Sequence, residues 1–419
     1  MRSYGRFQGT RFCSHERLPK PVEPRTVRSM RAFPLCVVVL LGLTACASGG
    51  GSRAPTPAPG ASARENSGTA DTSPEEMPYG QRVMAVRSYL DAGSPKRAAE
   101  VARTAIEQKP QRPEAHQLLG RALALQQQLA ASARHYEAAR ARGADNRRLV
   151  VELGSVYDVT KAYSKAISLY REWLGKTPDD TPIRHQLGLT LLLTGNTETA
   201  LAELERSHRD APQKLQFAQD LAYAYLAAGQ PAAAEKTAAA VIEAAPERTD
   251  AVRFLAKARI AQGELEQALE ALNAALARIE DAADVRALRA RLRLLLGDAA
   301  GAWQDYDMLL QQHRDNADLL LGGAGSLIAT GALERASELI ERAAKTAGDH
   351  PLVRLRRAQI AWHRGNAEAL ARMHALARAQ PDNPQAWRVV LDAAQEADNT
   401  DIAGAAREHL EKLGFAVQN

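Results

Sequence analysis

The sequence predicts an all-α protein built as a solenoid of paired helices. Three observations support this prediction: a repeat of 34 residues, alanine or glycine in most repeats at two fixed positions, and glycine or proline where helices are expected to end. Small side chains let two helices approach closely, and glycine and proline favour helix ends. Each repeat is therefore expected to form two packed helices, here called helix A and helix B.

The first segment, residues 1–45, is typical of a cleaved export signal. Its apolar stretch from Ala32 to Ala45 contains Pro34 and is too short for a membrane-spanning helix, which needs about 20 apolar residues. Met30 and Arg31 supply a short basic start, and small residues form the exit. We therefore expect translation to start at Met30, unless residues 1–29 are an unusually long charged leader.

The exit of this segment is Leu43-Thr44-Ala45-Cys46, which resembles the lipobox of bacterial lipoproteins. The resemblance implies that Cys46 is alkylated by diacylglycerol, becomes the new amino terminus and is acylated, so that lipid chains anchor the protein. Ala47, in place of the aspartate that retains such proteins at the inner membrane of enteric bacteria, favours the outer membrane. The alternative is a plain secretory signal with an incidental cysteine.

Residues 46–78 are predicted to be a flexible linker that follows the anchor, because glycine, serine, proline and alanine dominate and no apolar period is present. No cysteine follows Cys46, so disulfides cannot stabilise the region beyond it.

The charge of the chain argues against nucleic acid as a partner. The formal net charge is +5, but residues 1–45 carry eight basic and two acidic side chains, which leaves −1 for the remainder. A surface that follows phosphates needs a lasting cationic excess. The predicted mature chain has none overall.

The repeat occupies the chain from residue 79 onward. Gly154 to Pro178 and Gly188 to Pro212 align at a distance of 34 residues, with matching glycine, alanine and proline. This period predicts repeats that start near 79, 113, 147, 181, 215, 249, 283, 317, 351 and, after one deleted residue, 384.

The repeat resembles the tetratricopeptide repeat (TPR) at two positions where that family has small residues. Position 8 holds Val86, Gly120, Gly154, Gly188, Ala222, Ala256, Ala290, Ala324, Ala358 and Leu391, and position 20 holds Ala98, Ser132, Ala166, Ala200, Ala234, Ala268, Ala302, Ala336, Ala369 and Ala403. The resemblance implies a right-handed superhelical solenoid of about ten repeats over 79–419. An alanine-rich bundle without true repeats is the alternative.

Some repeats depart from the pattern. Gln127 and Lys161 replace the glycine at the turn between helices A and B, and four residues replace the closing proline: Ala144, Glu280, Arg314 and Gly348. At these positions the sequence does not predict the conformation of the turn, but the predicted solenoid architecture is unchanged.

No catalytic, metal or cofactor site is predicted. Gly175-Lys176-Thr177 resembles the end of a phosphate-binding loop, but it closes a predicted helix instead of opening one. His313-Arg314-Asp315 resembles a kinase catalytic loop, but lies in a turn between repeats. The ten histidines are scattered without metal-ligand spacing. We expect no enzyme activity, no cofactor and no small-molecule substrate.

The candidate binding residues lie on one face of helix A. Positions 2, 5, 9 and 12 share this face, and the resemblance implies that it lines a concave groove that binds extended peptides or partner helices. The predicted groove residues are Arg87, Arg121, Tyr223, Arg253, Lys257 and Arg291. They predict two cationic clusters on either side of a less charged stretch around Leu189 and Tyr223. Alternatively these are solvated charges that pair with acids such as Asp250 and Asp284.

The sequence therefore predicts a lipid-anchored protein, with the outer membrane facing the periplasm as its expected location, that scaffolds a protein machine of the bacterial cell envelope. Pilus or secretin assembly, polysaccharide export and outer-membrane biogenesis are the machines that the resemblance implies. Two alternatives stay open: a regulatory or substrate-recruiting subunit of an envelope enzyme, and a soluble adaptor if the signal is spurious.

Overall fold

The computed structural model describes residues 77–279, 281–413 and 415. These residues form twenty α-helices and no β-strand, so the prediction of an all-α solenoid of about ten helix pairs is confirmed. The predicted signal at 1–45, the predicted anchor Cys46 and nearly all of the predicted linker lie outside the described residues.

Each repeat contributes one odd-numbered and one even-numbered helix. The odd-numbered helices are α1 (Tyr79–Asp91), α3 (Pro113–Leu125), α5 (Arg147–Val159), α7 (Thr181–Leu193), α9 (Leu215–Ala227), α11 (Thr249–Ala261), α13 (Ala283–Leu295), α15 (Ala317–Ala329), α17 (Pro351–His363) and α19 (Pro384–Glu396). The even-numbered helices are α2 (Pro95–Gln108), α4 (Leu129–Ala141), α6 (Tyr163–Lys176), α8 (Thr197–Asp210), α10 (Pro231–Ala244), α12 (Leu265–Leu276), α14 (Ala299–Gln312), α16 (Leu333–Ala347), α18 (Glu368–Arg378) and α20 (Thr400–Lys412). The odd-numbered helices begin at the ten residues at which the 34-residue period starts.

Small residues make the close contacts between the two helices of a repeat. The side chains at position 20 are fully buried from Ala98 to Ala369, and Ala403 is 7% exposed. At position 8, a Cβ added to Gly154 would lie 2.3 Å from the hydroxyl oxygen of Tyr170, so no larger residue fits beside that ring.

The turns between helices A and B share one backbone conformation. The residue at position 15 has φ between +51° and +86° in all ten repeats of the described region. Seven of these residues are glycine, and the others are Gln127, Lys161 and Asp398. The turn therefore keeps its left-handed geometry where glycine is replaced.

Proline marks the end of several even-numbered helices. Helices α2, α6, α8 and α10 each end two residues before a proline, as expected because the residue before proline avoids the helical conformation. Where Gly348 takes the place of proline, α16 continues to Ala347.

Candidate protein-binding groove

The odd-numbered helices form the inner layer of the solenoid. Eight of the nine consecutive odd-numbered pairs in the described part of the chain contact each other closely, all except α5 with α7, and each odd-numbered helix also packs on its even-numbered neighbours. In a curved stack, the helices that approach each other between repeats lie on the concave side. The predicted groove positions of helix A are therefore on the inner layer.

Three cations crowd the centre of this layer. Arg253 and Lys257 lie four residues apart on α11, and Arg291 occupies on α13 the position that Lys257 has on α11. Burial lowers the pKa of Lys257, and the neighbouring Arg253 and Arg291 lower it further. These residues form the central cationic cluster, in which like charges are held close together.

Arg253 is held in place by two aspartates. Its Nη1 donates to Asp250 Oδ1 at 2.7 Å and to Asp284 Oδ2 at 2.9 Å. The alternative interpretation of the sequence, in which these cations pair with nearby acids, is therefore correct for Arg253. By contrast, Arg291 forms no ion pair with any residue in the described part of the chain.

The predicted N-terminal cations are arranged differently. Arg121 Nε lies 3.7 Å from Glu152 Oε1, and Arg148 also contacts that carboxylate at 3.0 Å. Arg87 is exposed on α1. Arg121 therefore has a carboxylate of the same chain beside it, whereas Arg291 in the central cluster has no ion pair within the described residues.

An apolar stretch adjoins the central cluster. Tyr223 on α9 is half-buried, and its ring lies 5.7 Å from that of Phe254 on α11. Leu189 on α7 and Leu226 on α9 are also half-buried, and Leu193 is 42% exposed. A partner that fits both regions needs apolar and acidic groups.

One cluster of charges between α13 and α14 was not predicted. Asp305 is 1% exposed and accepts hydrogen bonds from Arg289 Nη2 at 2.6 Å and Arg293 Nη1 at 3.1 Å, while Arg286 Nη1 lies 3.7 Å away. Arginines at 286, 289 and 293 share a helix face, so their spacing in the sequence could have indicated a cluster of charges. The position of the carboxylate that meets them depends on the packing of α14.

Arg356 was also missed. It lies on α17 and is 3% exposed. Its Nε donates to the Leu321 carbonyl at 3.2 Å and its Nη1 to Gln359 Oε1 at 2.8 Å. Burial of the guanidinium lowers its pKa to about 10.

The short motifs are located as the sequence indicated. His313 follows the end of α14, and Lys176 is the last residue of α6. Among the described residues, no three histidine, cysteine or acidic side chains are placed to hold a metal ion. In the same part of the chain, none of the helices combines the length and apolar character needed to cross a membrane.

Two models of the tetratricopeptide repeat match the sequence. One matches residues 83–133 and 126–181, and the other matches residues 191–250 and 225–292. No match is found among the curated proteins.

Several solved structures are similar to the chain. A tetratricopeptide repeat protein from Parabacteroides merdae is 15% identical over 67% of this chain and 98% of its own, with a TM-score of 0.46. PilF of Pseudomonas aeruginosa is 18% identical over 48% of this chain and 91% of its own, with a TM-score of 0.41. YrrB, described as a TPR protein with an unusual peptide-binding site, is 17% identical over 41% of this chain and 89% of its own, with a TM-score of 0.39.

Proposed function

Since the chain belongs to the tetratricopeptide repeat family, whose members bind protein partners, we propose that it is a lipid-anchored scaffold for a cell-envelope machine. The solenoid binds an extended segment of a partner protein along its concave groove. Pilus or secretin assembly, polysaccharide export and outer-membrane biogenesis are the candidate processes.

The central cationic cluster is the observation that carries the groove proposal. Lys257 and Arg291 lie at the same position of consecutive repeats, on the layer that faces the groove. Crowded, partly desolvated cations destabilise one another, and an acidic ligand relieves this repulsion. The adjoining apolar stretch around Leu189 and Tyr223 supplies contact area. The partner segment is therefore expected to carry both apolar and acidic residues.

The groove is tested by neutralising two of its cations. Lys257→Gln and Arg291→Gln together remove charge from the cluster but keep Arg253, which holds Asp250 and Asp284. We expect crosslinked co-purification from envelope fractions to recover less of the partner. The control is Lys96→Gln with Arg97→Gln on α2, two exposed cations of an even-numbered helix.

The circular dichroism spectrum of each variant shows whether the solenoid is intact. Partner recovery that is equal in the groove variant and the control variant would contradict the proposed groove.

The anchor proposal rests on the sequence Leu43-Thr44-Ala45-Cys46. Cys46→Ser is expected to abolish acyl labelling and release the protein from membranes. The matched control is Cys36→Ser, which changes a cysteine earlier in the same apolar segment. Unchanged mass and fractionation of the Cys46→Ser protein would contradict the anchor and favour a soluble adaptor.

A further inference from the structure

Helix α15 contains an unusual group of glycines in its interior. Gly322, Gly323 and Gly325 are all buried in the sequence Leu-Gly-Gly-Ala-Gly-Ser. A glycine in a helix interior is about 1 kcal/mol less favourable than alanine. Their positions therefore call for a structural explanation.

Two of these glycines make room for polar groups from neighbouring helices. A Cβ at Gly322 would lie 2.6 Å from the hydroxyl oxygen of Tyr306 on α14, and a Cβ at Gly325 would lie 2.3 Å from Nη2 of Arg356 on α17. Residues three apart share a helix face. The Tyr306 hydroxyl and the Arg356 guanidinium thus rest against the same face of α15, one turn apart.

Neither polar group has a carboxylate partner within the described residues. Tyr306 is 1% exposed, and its hydroxyl oxygen forms no hydrogen bond there. Arg356 forms no ion pair with any described residue, and its acceptors are a carbonyl and the neutral amide of Gln359. Burial raises the pKa of Tyr306, and the nearby Arg291 and Arg356 oppose this rise.

Two other repeats with tyrosine at the position of Tyr306 differ in this respect. The hydroxyl of Tyr170 donates to Asp158 Oδ2 at 3.0 Å. The carboxylate of Glu152 lies close enough to Tyr136 to raise its pKa, in addition to the larger effect of burial. In these repeats the carboxylate is the main charged neighbour of the tyrosine, whereas at Tyr306 the effects of Arg291 and Arg356 on the pKa exceed the smaller effect of the Asp305 carboxylate.

We propose that Arg356 and Arg291 form an anion subsite of the groove, which binds a side-chain carboxylate of the partner segment. This inference rests on the proposed groove and identifies the chemistry of its ligand. Gln359, which is half-buried and occupies the groove position of α17, holds the place of the ligand oxygen until its side chain turns outward. A carboxylate is chosen over other anions because carboxylates occupy the corresponding environment around Tyr136 and Tyr170.

The test introduces the carboxylate within the chain. In Gln359→Glu, an isosteric carboxylate replaces the amide oxygen that lies 2.8 Å from Arg356 Nη1. Pairing of a buried arginine should raise the melting temperature, and occupation of the subsite should weaken ligand binding. The probe is a fluorescently labelled peptide of alternating leucine and glutamate, blocked at both ends, and binding to the full chain is measured by fluorescence anisotropy.

The expected results separate a binding role from a structural role. We expect the wild-type chain to prefer this peptide to one with glutamine for glutamate, and Gln359→Glu to weaken glutamate-peptide binding by about tenfold or more. Gln359→Ala, which supplies no carboxylate, should retain binding. Arg356→Met should reduce the preference for glutamate to the part that the central cationic cluster supplies, and Arg354→Gln, an exposed neighbour on α17, should leave the preference unchanged.

Three outcomes would overturn the subsite. In the first, the wild-type chain binds the two peptides equally. In the second, Gln359→Glu changes neither the melting temperature nor peptide binding. In the third, the chain binds only a glutamine peptide with a free terminal carboxylate, which would assign the site to a chain end. If partner capture is nevertheless lost in the Lys257→Gln and Arg291→Gln variant, the groove stands without the subsite. If neither set of variants changes binding, the proposed function fails as well.

Discussion

Burial opposes the charged form of Asp158 on α5. Its carboxylate accepts hydrogen bonds from the hydroxyls of Tyr170 at 3.0 Å and Thr190 at 2.9 Å. Burial nevertheless outweighs these hydrogen bonds and raises the pKa of Asp158 to about 6. In the folded state this side chain therefore holds its proton at a pH where the unfolded chain has lost it.

This pKa predicts a pH dependence of stability. The unfolded pKa is about 3.9, so the contribution of Asp158 is complete below that pH and is lost as pH rises through about 6. The loss amounts to about 2–3 kcal/mol for a shift of about two pKa units. Asp158→Asn should remove this part of the pH dependence, measured by urea unfolding at pH 4.5 and pH 7.5.

Asp145→Asn, which removes an exposed carboxylate, is the control for the Asp158 experiment. If the wild-type chain and Asp158→Asn have the same change in unfolding free energy between the two pH values, Asp158 does not titrate as predicted.

The tyrosines that face a carboxylate and the one that does not should respond differently to loss of the hydroxyl. Tyr170→Phe removes a donor from the buried Asp158 and should destabilise the fold by about 1–2 kcal/mol. Tyr306→Phe removes a hydroxyl without a hydrogen bond in the described region, so its effect should be within about 0.5 kcal/mol. Urea unfolding of the two variants measures this contrast, and equal losses would contradict it.

At the scale of the element, the period of the repeat predicts the left-handed turn between helices A and B even where the residue at that turn is not glycine. Lys161 has φ of +59°, in the same left-handed region as Gly195 with φ of +78°. For residues other than glycine this conformation costs about 1–2 kcal/mol. Ala166 is nevertheless fully buried between the two helices of this repeat, so the turn keeps its geometry although its sequence is unfavourable.

Substitutions at the turn position are therefore expected to change stability in opposite directions in two repeats. Lys161→Gly should stabilise the chain by about 0.5–1 kcal/mol, because relief of strain exceeds the added entropy of the unfolded chain. Gly195→Ala should destabilise it by about 1 kcal/mol through strain alone, since no described atom lies within 4 Å of the added Cβ. Thermal unfolding measures both, and a destabilising Lys161→Gly would show that the lysine side chain contributes more than the strain it causes.

At the scale of the whole molecule, the repeated contacts could be predicted from the sequence and the unrepeated ones could not. Ala166 and Ala200 were placed at a helix contact because they recur at a fixed interval, and both are fully buried. Arg356 occurs once at its position, and its burial depends on Gly325, which lies in the preceding repeat. Periodicity identifies residues that make the same packing contact in each repeat. A ligand subsite is formed by residues that differ from those at the same position in the other repeats, so periodicity does not identify it.

The described contacts link each helix mainly to its neighbours along the chain. Stability in such a stack is approximately a sum of repeat and interface terms, so damage should stay local. Trp387 on α19 is fully buried and stacks on His409 of α20 with ring centroids 4.0 Å apart. Trp387→Ala should therefore destabilise the C-terminal repeats, by about 3–5 kcal/mol where the cavity forms.

Hydrogen exchange measured by mass spectrometry locates the effect of Trp387→Ala. Protection should fall in α17 to α20 and remain unchanged in α1 to α8, which lie far along the stack from the cavity. The reciprocal control is Leu153→Ala, a fully buried residue of α5, which should reduce protection in α3 to α8 and leave α17 to α20 protected. Equal loss of protection along the whole solenoid in either variant would mean that the repeats unfold as one cooperative unit, because interfaces between repeats would then dominate over the stability of each repeat.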